Sequence, residues 1–344
     1  QKSGCQNGHE EEIALWKNAL FSSMRILQIA TNLAEPPMQP VTDKEFKALI
    51  TLLDDNDREV YSHVSDKLMS LGIEGIPMLE SAWESSDNQL IQTRLEELIN
   101  KIQFSNIKDR LIRWIERGGQ DLLEGALLIA KFQYPDLDEF KLTQKVESIS
   151  KAVWIELNPA LSALEEAHVI NHVFYQLHGF FGQQNASLDA ELGYINKLLE
   201  TKKGNSISLS MLYLIIAEKN DLSIYGVNLP YHFIMAYTRK PLTEEELRQN
   251  DQEKNVLFYI NPLNKGIAFS RGEITHYLEQ MKLKPQAKFY SPCSNLEILK
   301  TLVYNQLSCY DHSGHTEKAQ QLKELFDLFH PEADDEQEEG EEEL

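Results

Sequence analysis

Three positions in the second half of the chain could carry covalent chemistry together. The segment Gly204-Asn205-Ser206-Ile207-Ser208-Leu209-Ser210 sets small hydroxyl side chains at the head of an apolar block that runs to Ala217. His232 opens the run His232-Phe233-Ile234-Met235-Ala236-Tyr237, and Asn261 closes another, Phe258-Tyr259-Ile260-Asn261-Pro262. A hydroxyl at a helix start, an imidazole to take its proton and an amide to orient the ring make a Ser-His-Asn set, with Ser206 or Ser208 as nucleophile and His232 as base. A serine hydroxyl ionises far less readily than a thiol, so such a set works only with a well-aligned base. Each residue also has a plainer reading. Ser206 or Ser208 can cap the helix by accepting an orphan N–H, and Ser208 and Ser210 can be small packing residues. His232 can sit at a pocket edge, hydrogen-bonded to Asn261, while Asn261-Pro262 can open a turn at a strand end. Tyr231 and Tyr259 would line a pocket beside His232 or cover the sheet.

The elements that must position these residues follow from periodicity. From Leu209 to Ala217 the chain is apolar nearly all round, the pattern of a helix enclosed by its domain, and it is too short to cross a bilayer. Residues 222–227, 232–237, 255–260 and 267–269 have the β-branched and aromatic content of strands. A small antiparallel sheet packed on the 206–217 helix is therefore expected. Upstream, residues 11–33 carry apolar side chains at helical spacing. The run Ala34-Glu35-Pro36-Pro37-Met38-Gln39-Pro40 cannot continue a helix. Thr42 with Glu45 fits a capping box, and short helices are expected over 46–53, 60–71, 78–83, 90–99, 108–114 and 122–132. This alternation of helices and polar turns resembles HEAT-like hairpins, with a generic helical subdomain as the alternative reading. After Tyr134-Pro135, helical spacing resumes over 140–154, 160–177 and 190–199. Asn295 can cap a helix over 296–310, and 317–328 makes a second; the pair resembles one tetratricopeptide-like hairpin, expected to dock on the sheet domain. Helices in blocks ahead of strands point to an α+β chain. The expected division is an N-terminal helix and linker (1–40), a HEAT-like region (41–138), a sheet-bearing domain (139–290), a helical hairpin (291–330) and a disordered acidic tail (331–344).

Charge narrows the partners. Against 54 acidic residues stand 33 basic ones, a net −21, and the tail from Glu332 to Leu344 holds nine of the acids and no Lys or Arg. Such a chain repels phosphate backbones and anionic bilayers, which argues against nucleic acid and membrane as partners. The three cysteines, Cys5, Cys293 and Cys309, have no CxxC spacing and read as ordinary thiols rather than a disulfide framework or zinc site. His168 and His172 share a helix face at i, i+4 without an evident third ligand, so neither metal nor cofactor is expected. No leader or transmembrane run stands out, and the expected compartment is the cytoplasm.

The residues between about 161 and 289 resemble the transglutaminase-like superfamily, in particular its bacterial SirB-type branch. The resemblance rests on Gly179-Phe180, on the Gly204…Ser208-Leu209-Ser210…Leu212-Tyr213-Leu214 helix, on Gly226-Val227-Asn228-Leu229-Pro230-Tyr231-His232-Phe233, and on Ile260-Asn261-Pro262. It implies a papain-like fold whose catalytic members use Cys, His and Asp in that order. On this chain those positions fall on Ser206, His232 and Asn261. With sulfur and carboxylate both replaced, the resemblance implies a non-catalytic member that binds or scaffolds a protein or peptide partner. The alternative is a hydrolase or acyltransferase acting on protein or peptide amides through the Ser-His-Asn set.

Overall fold

The computed structural model of the protein describes residues 42–183, 189–249 and 251–329. The helix expected over 11–33, the proline-rich linker, Cys5 and the acidic tail lie outside the described residues. The described chain forms two compact units, one of residues 42–71 and 77–96, the other of residues 72–76 and 97–329.

The smaller unit holds α1 (Asp43–Leu52), α2 (Arg58–Met69), most of α3 (Ile76–Ser85) and the first turns of α4 (Gln89–Glu116). Thr42 caps α1 by accepting the Glu45 N–H, and Asp57 caps α2 by accepting the Glu59 N–H. Its buried apolar side chains are Phe46, Leu53, Val64, Leu68, Leu79 and Leu95. Arg94 donates to the carbonyls of Leu53 and Asp55, satisfying acceptors that the end of α1 leaves open. The separate helices expected over 90–99 and 108–114 are in fact one, α4. No Pro or Gly stands between them, and the buried Ile102 and Ile107 carry the apolar stripe across the gap.

The larger unit is built round a single helix. It comprises α5 (Leu122–Gln133), α6 (Glu139–Glu156), α7 (Ala163–Asn171), α8 (Ile195–Thr201), α9 (Ser206–Glu218), the sheet strands, α10 (Glu244–Arg248), α11 (Arg271–Gln280), and the hairpin α12 (Asn295–His312) and α13 (Thr316–Asp327). Every residue of α9 from Ile207 to Ala217 is buried, as its all-round apolarity requires. The short pair β1 (Phe181–Gly182) and β2 (Lys203–Gly204) runs parallel just ahead of it. Four strands, β3 (Ile224–Leu229), β4 (His232–Thr238), β5 (Val256–Asn261) and β6 (Ile267–Phe269), form an antiparallel sheet in sequential order. The α+β class with a small antiparallel sheet on a buried helix is thus borne out.

Strand alternation divides β4 between two cores. Phe233, Met235 and Tyr237 join the core around α9, together with Ile260. Ile234 and Ala236 join Tyr259 in a second core, closed by Ile274 and Leu278 of α11 and by Tyr290. Periodicity alone does not reveal α11, because Gly272 and few apolar residues weaken its pattern. Its signal is the capping box of Ser270 and Glu273, which is formed. Other boundaries shift. The 160–177 stretch is α7 followed by a π-helical turn over His172–Leu177, and the 190–199 stretch breaks at Tyr194 into a 3-10 turn and α8. Ser294, not Asn295, caps α12 by accepting the Glu297 N–H. That helix buries Ile298, Leu299, Leu302 and Val303 in the core around α9.

Two local arrangements hold this unit together. Gly266 closes the turn between β5 and β6 at φ +69°, and a Cβ there would lie 1.8 Å from Asn171 Oδ1. The close approach lets Asn171 Nδ2 donate to the Gly266 carbonyl at 2.8 Å while its Oδ1 accepts from the Tyr213 hydroxyl of α9 at 3.1 Å. Farther off, Glu139 takes both prongs of Arg110 at 2.7 and 3.0 Å and Lys131 at 3.0 Å. The Arg110 hydrogen bonds hold its carboxyl down to about 2. We expect Gly266→Ala to cost about 2–4 kcal/mol in equilibrium unfolding, from the left-handed backbone and the clash together. Glu139→Gln is expected to cost about 1 kcal/mol at neutral pH, since the group is partly exposed. Because the folded carboxyl is the stronger acid, that cost fades as pH falls from the ordinary 4.5 toward about 2. Urea midpoints of the two chains across that range would show it.

Candidate functional site

The end of the sheet, the start of α9 and the C-terminal hairpin enclose a cleft of about 1040 Å³. The α9 start contributes Asn205 and Ser206, the β3–β4 hairpin contributes Asn228, Tyr231 and His232, and α12 contributes Lys300, Tyr304 and Asn305. Two amide hydrogen bonds fasten α12 to the other walls. Asn228 Nδ2 donates to Thr301 Oγ1 at 3.0 Å, and Asn205 Nδ2 donates to Asn305 Oδ1 at 3.3 Å.

Ser206 and His232 both border this cleft, yet they are not paired. The helix cap is Asn205, which accepts the Ser208 N–H at 2.9 Å while Ser208 Oγ accepts the Asn205 N–H at 3.1 Å. Ser206, one residue on, is therefore released from capping. Its Oγ accepts the Phe233 N–H at 3.3 Å, pinning the first turn of α9 to the start of β4. Among the described residues its hydroxyl donates to no base, which a serine nucleophile needs.

His232 points the other way because of strand phase. It alternates with Phe233, so its ring falls on the α11 side with Ile234 and meets Tyr277 at 6.4 Å between centroids. Burial lowers its pKa, leaving the imidazole neutral at pH 7. Asn261 does not hold that ring. Its Oδ1 accepts the N–H groups of Leu263 at 3.0 Å and Asn264 at 3.3 Å, capping the Pro262–Asn264 turn as an Asn-Pro pair readily does. The structure thus brings Ser206 and His232 to one cleft but assembles no hydrogen-bonded triad among the described residues.

The three expected pocket residues part company. Tyr231 lines the cleft, 88% exposed. Ser208 does not: it is fully buried, and its Oγ donates to the Leu192 carbonyl at 2.5 Å because the α9 N-terminus is packed over that turn. Tyr259 does not either. Strand phase turns it into the second core, where its hydroxyl donates to the Tyr290 carbonyl at 2.8 Å.

What residue-type reasoning missed is the α12 wall. Lys300 and Tyr304 stand in a helix read only as one half of a hairpin, and no local pattern announces that its outer face borders a cleft. Tyr304 is 58% exposed and meets Phe326 of α13 at 5.7 Å. One sulfur is also present, since Cys293 lies in the cleft wall. It is buried in a loop segment beside β3, and burial pushes its thiol up, away from the thiolate. Cys293 and Cys309 are both buried and not bridged to each other. Among the described residues no three or more His, Cys, Asp or Glu side chains converge as a metal site would need, and His172 instead hydrogen-bonds Gln176 at 3.0 Å. No helix among them is long and apolar enough to cross a membrane.

Comparison with known proteins supplies the family. Residues 140–303 match the model of the transglutaminase-like superfamily. A UPF0162 protein of Xylella fastidiosa is 30% identical over 142 residues, covering 37% of this chain and 50% of that protein. A UPF0162 protein of Vibrio cholerae is 24% identical over 173 residues, covering 48% of this chain and 58% of that one. F-box only protein 21 of Homo sapiens is 25% identical over 160 residues, 46% of this chain and 24% of the human protein. The chain thus spans about half the length of the Xylella relative. No solved structure matches. With helix, sheet and cleft in the arrangement described, and the match lying across them, the chain carries a domain of the transglutaminase-like superfamily.

Proposed function

We propose that this chain is a non-catalytic transglutaminase-like protein that binds a protein or peptide segment in the cleft between the α9 start, the β3–β4 hairpin and α12. The observation that carries the reading is the role of Ser206. At the position where a catalytic relative would hold its Cys, the side chain accepts a backbone N–H and secures a helix to a strand. A nucleophile needs its proton drawn off by a base. The neutral His232 is turned toward α11 instead, and the Asn261 side-chain oxygen is occupied in its own turn.

A binding role is supported by the hairpin tip. Pro230 and Tyr231 join β3 to β4, and Tyr231 adopts φ 59°, where glycine is the usual occupant. A bulky side chain held there costs of order 1 kcal/mol. The ring gains nothing back from burial, being the most exposed large hydrophobic side chain described. A costly conformation that holds an aromatic ring out over a cleft, across from the half-exposed Tyr304, suits the anchoring of a partner's side chains.

Two experiments test this. A fluorophosphonate probe at micromolar concentration is expected to leave Ser206 unmodified in intact-mass spectra; stoichiometric labelling at Ser206, abolished by His232→Ala, would establish the hydrolase reading instead. For binding, selection from a phage-displayed random peptide library should enrich sequences captured by the chain. Tyr304→Ala and Tyr231→Gly are each expected to weaken their capture about tenfold or more. Tyr231→Gly should at the same time leave the unfolding midpoint unchanged or raise stability by up to about 1 kcal/mol. Peptides that bind both variants as well as the parent would place recognition outside the cleft.

A further inference from the structure

The cleft differs in charge from the chain that forms it. Acidic residues outnumber basic ones 54 to 33 over the sequence, yet residues 280–296 hold Lys282, Lys284 and Lys288 and no Asp or Glu. That stretch runs from the end of α11 to the start of α12 and walls the cleft through Leu283, Lys288 and Phe289. Lys300 stands on the α12 wall. Among the described residues, Glu297 is the one carboxylate in the lining.

The lysines are held in place but not neutralised. Lys288 Nζ lies 5.4 Å from the Phe289 ring centroid, and Lys300 Nζ lies 6.0 Å from that of Phe326. Aromatic faces thus station both ammonium groups at the wall. Lys300 also meets Glu297 Oε1 at 3.7 Å, three residues back on the same helix, a partly exposed pair that contributes little. Lys282, Lys284 and Lys288 form no ion pair among the described residues. Acids elsewhere on the surface repel an anion only weakly here, because salt screens exposed charges beyond about 8 Å. The local lysines therefore decide what the cleft attracts. They act as point charges, and among the described residues no Arg lines the cleft to grip a phosphate with a planar fork.

On the reading that this cleft seats a protein segment, we infer that the segment is acidic. Its Asp or Glu side chains meet Lys288 and Lys300, while its apolar side chains rest against Tyr231 and Tyr304. Lys282 and Lys284 flank Leu283 of the lining and extend the same charge along the loop. A bilayer or a polynucleotide spreads its charge well past the cleft and still faces the acids of the whole surface. A short segment with a few carboxylates does not.

Sequencing the peptides captured from a random phage-displayed library tests this, with a parallel selection on the double variant Lys282→Glu/Lys288→Glu. Both lysines are exposed, so the double variant is expected to keep the parent's unfolding midpoint. The parent's pool should gain Asp and Glu over the input library, and the variant's pool should gain Lys and Arg instead. A synthetic peptide from the parent's pool should bind the double variant on the order of tenfold more weakly. It should bind Lys300→Gln about threefold more weakly and lose affinity as sodium chloride is added. Tyr304→Ala should weaken the same peptide, which seats its carboxylates in the cleft. If capture depends on Tyr231 and Tyr304 but parent and double variant enrich the same sequences, peptide binding stands and the acidic segment is ruled out. If the double variant loses acidic peptides while Tyr304→Ala holds them, the attraction belongs to the loop alone and the inference fails. If no captured peptide depends on either tyrosine, the cleft's binding role fails and the acidic segment falls with it.

Discussion

From Ile207 to Ala217 the helix Ser206–Glu218 leaves no side for water. Its aliphatic residues Ile207, Leu209, Met211, Leu212, Leu214, Ile215 and Ile216 are all buried. At about 1.5–3 kcal/mol each, they contribute on the order of 10–20 kcal/mol, an upper bound that supposes a fully extended unfolded chain. Such a helix folds only if it is enclosed on all sides at once, and the surrounding elements divide that task. The sheet takes one side through Phe233, Met235 and Ile260, α5 and α6 cover others, and the α12 hairpin seals the remainder. The polar groups carried inside must then be satisfied locally. The Tyr213 hydroxyl donates between the Ala167 carbonyl and Asn171 Oδ1, and Ser208 Oγ donates to Leu192.

This enclosure also fixes the cleft. Asn205 caps the helix and reaches α12, Ser206 fixes the helix start to β4, and strand alternation sends the neighbouring Phe233 and His232 to opposite faces. The same N–H that steadies Ser206 adds nothing that could remove its proton. In this geometry the helix start is a structural joint. The cleft above it is walled by amides, aromatic rings and two lysines, a lining that recognises more readily than it reacts.

Much of the frame was legible in residue order. The apolar run after Gly204 has a pattern that only a buried helix satisfies, and the β-branched runs at 222–260 have composition that suits strands, so helix, strands and their packing could be read together. His232 and Ser206 were placed at one cleft for the same reason: each stands at the end of an element whose end could be located. The failures have physical causes too. Ser206 and Asn205 are both acceptable caps by residue type, and only the reciprocal bond with Ser208 decides between them. Ser208 and Tyr259 take the plainer of their two readings, packing and sheet cover, because facing a cleft or a core depends on helix and strand phase, which shifts with a one-residue change of boundary. The α12 wall depends on contacts between residues some 70 to 100 positions apart, such as Asn228 with Thr301 and Asn205 with Asn305, and no local periodicity encodes these.

Cys293 gives the cleft an unexpected chemical character. The wall retains a sulfur atom, but in a loop rather than at a helix start, and enclosed so that its proton stays on. Thiolate is the form that attacks electrophiles and peroxides, so this sulfur is sheltered from the oxidation that inactivates exposed cysteines. The cleft therefore keeps a sulfur without keeping a ready nucleophile.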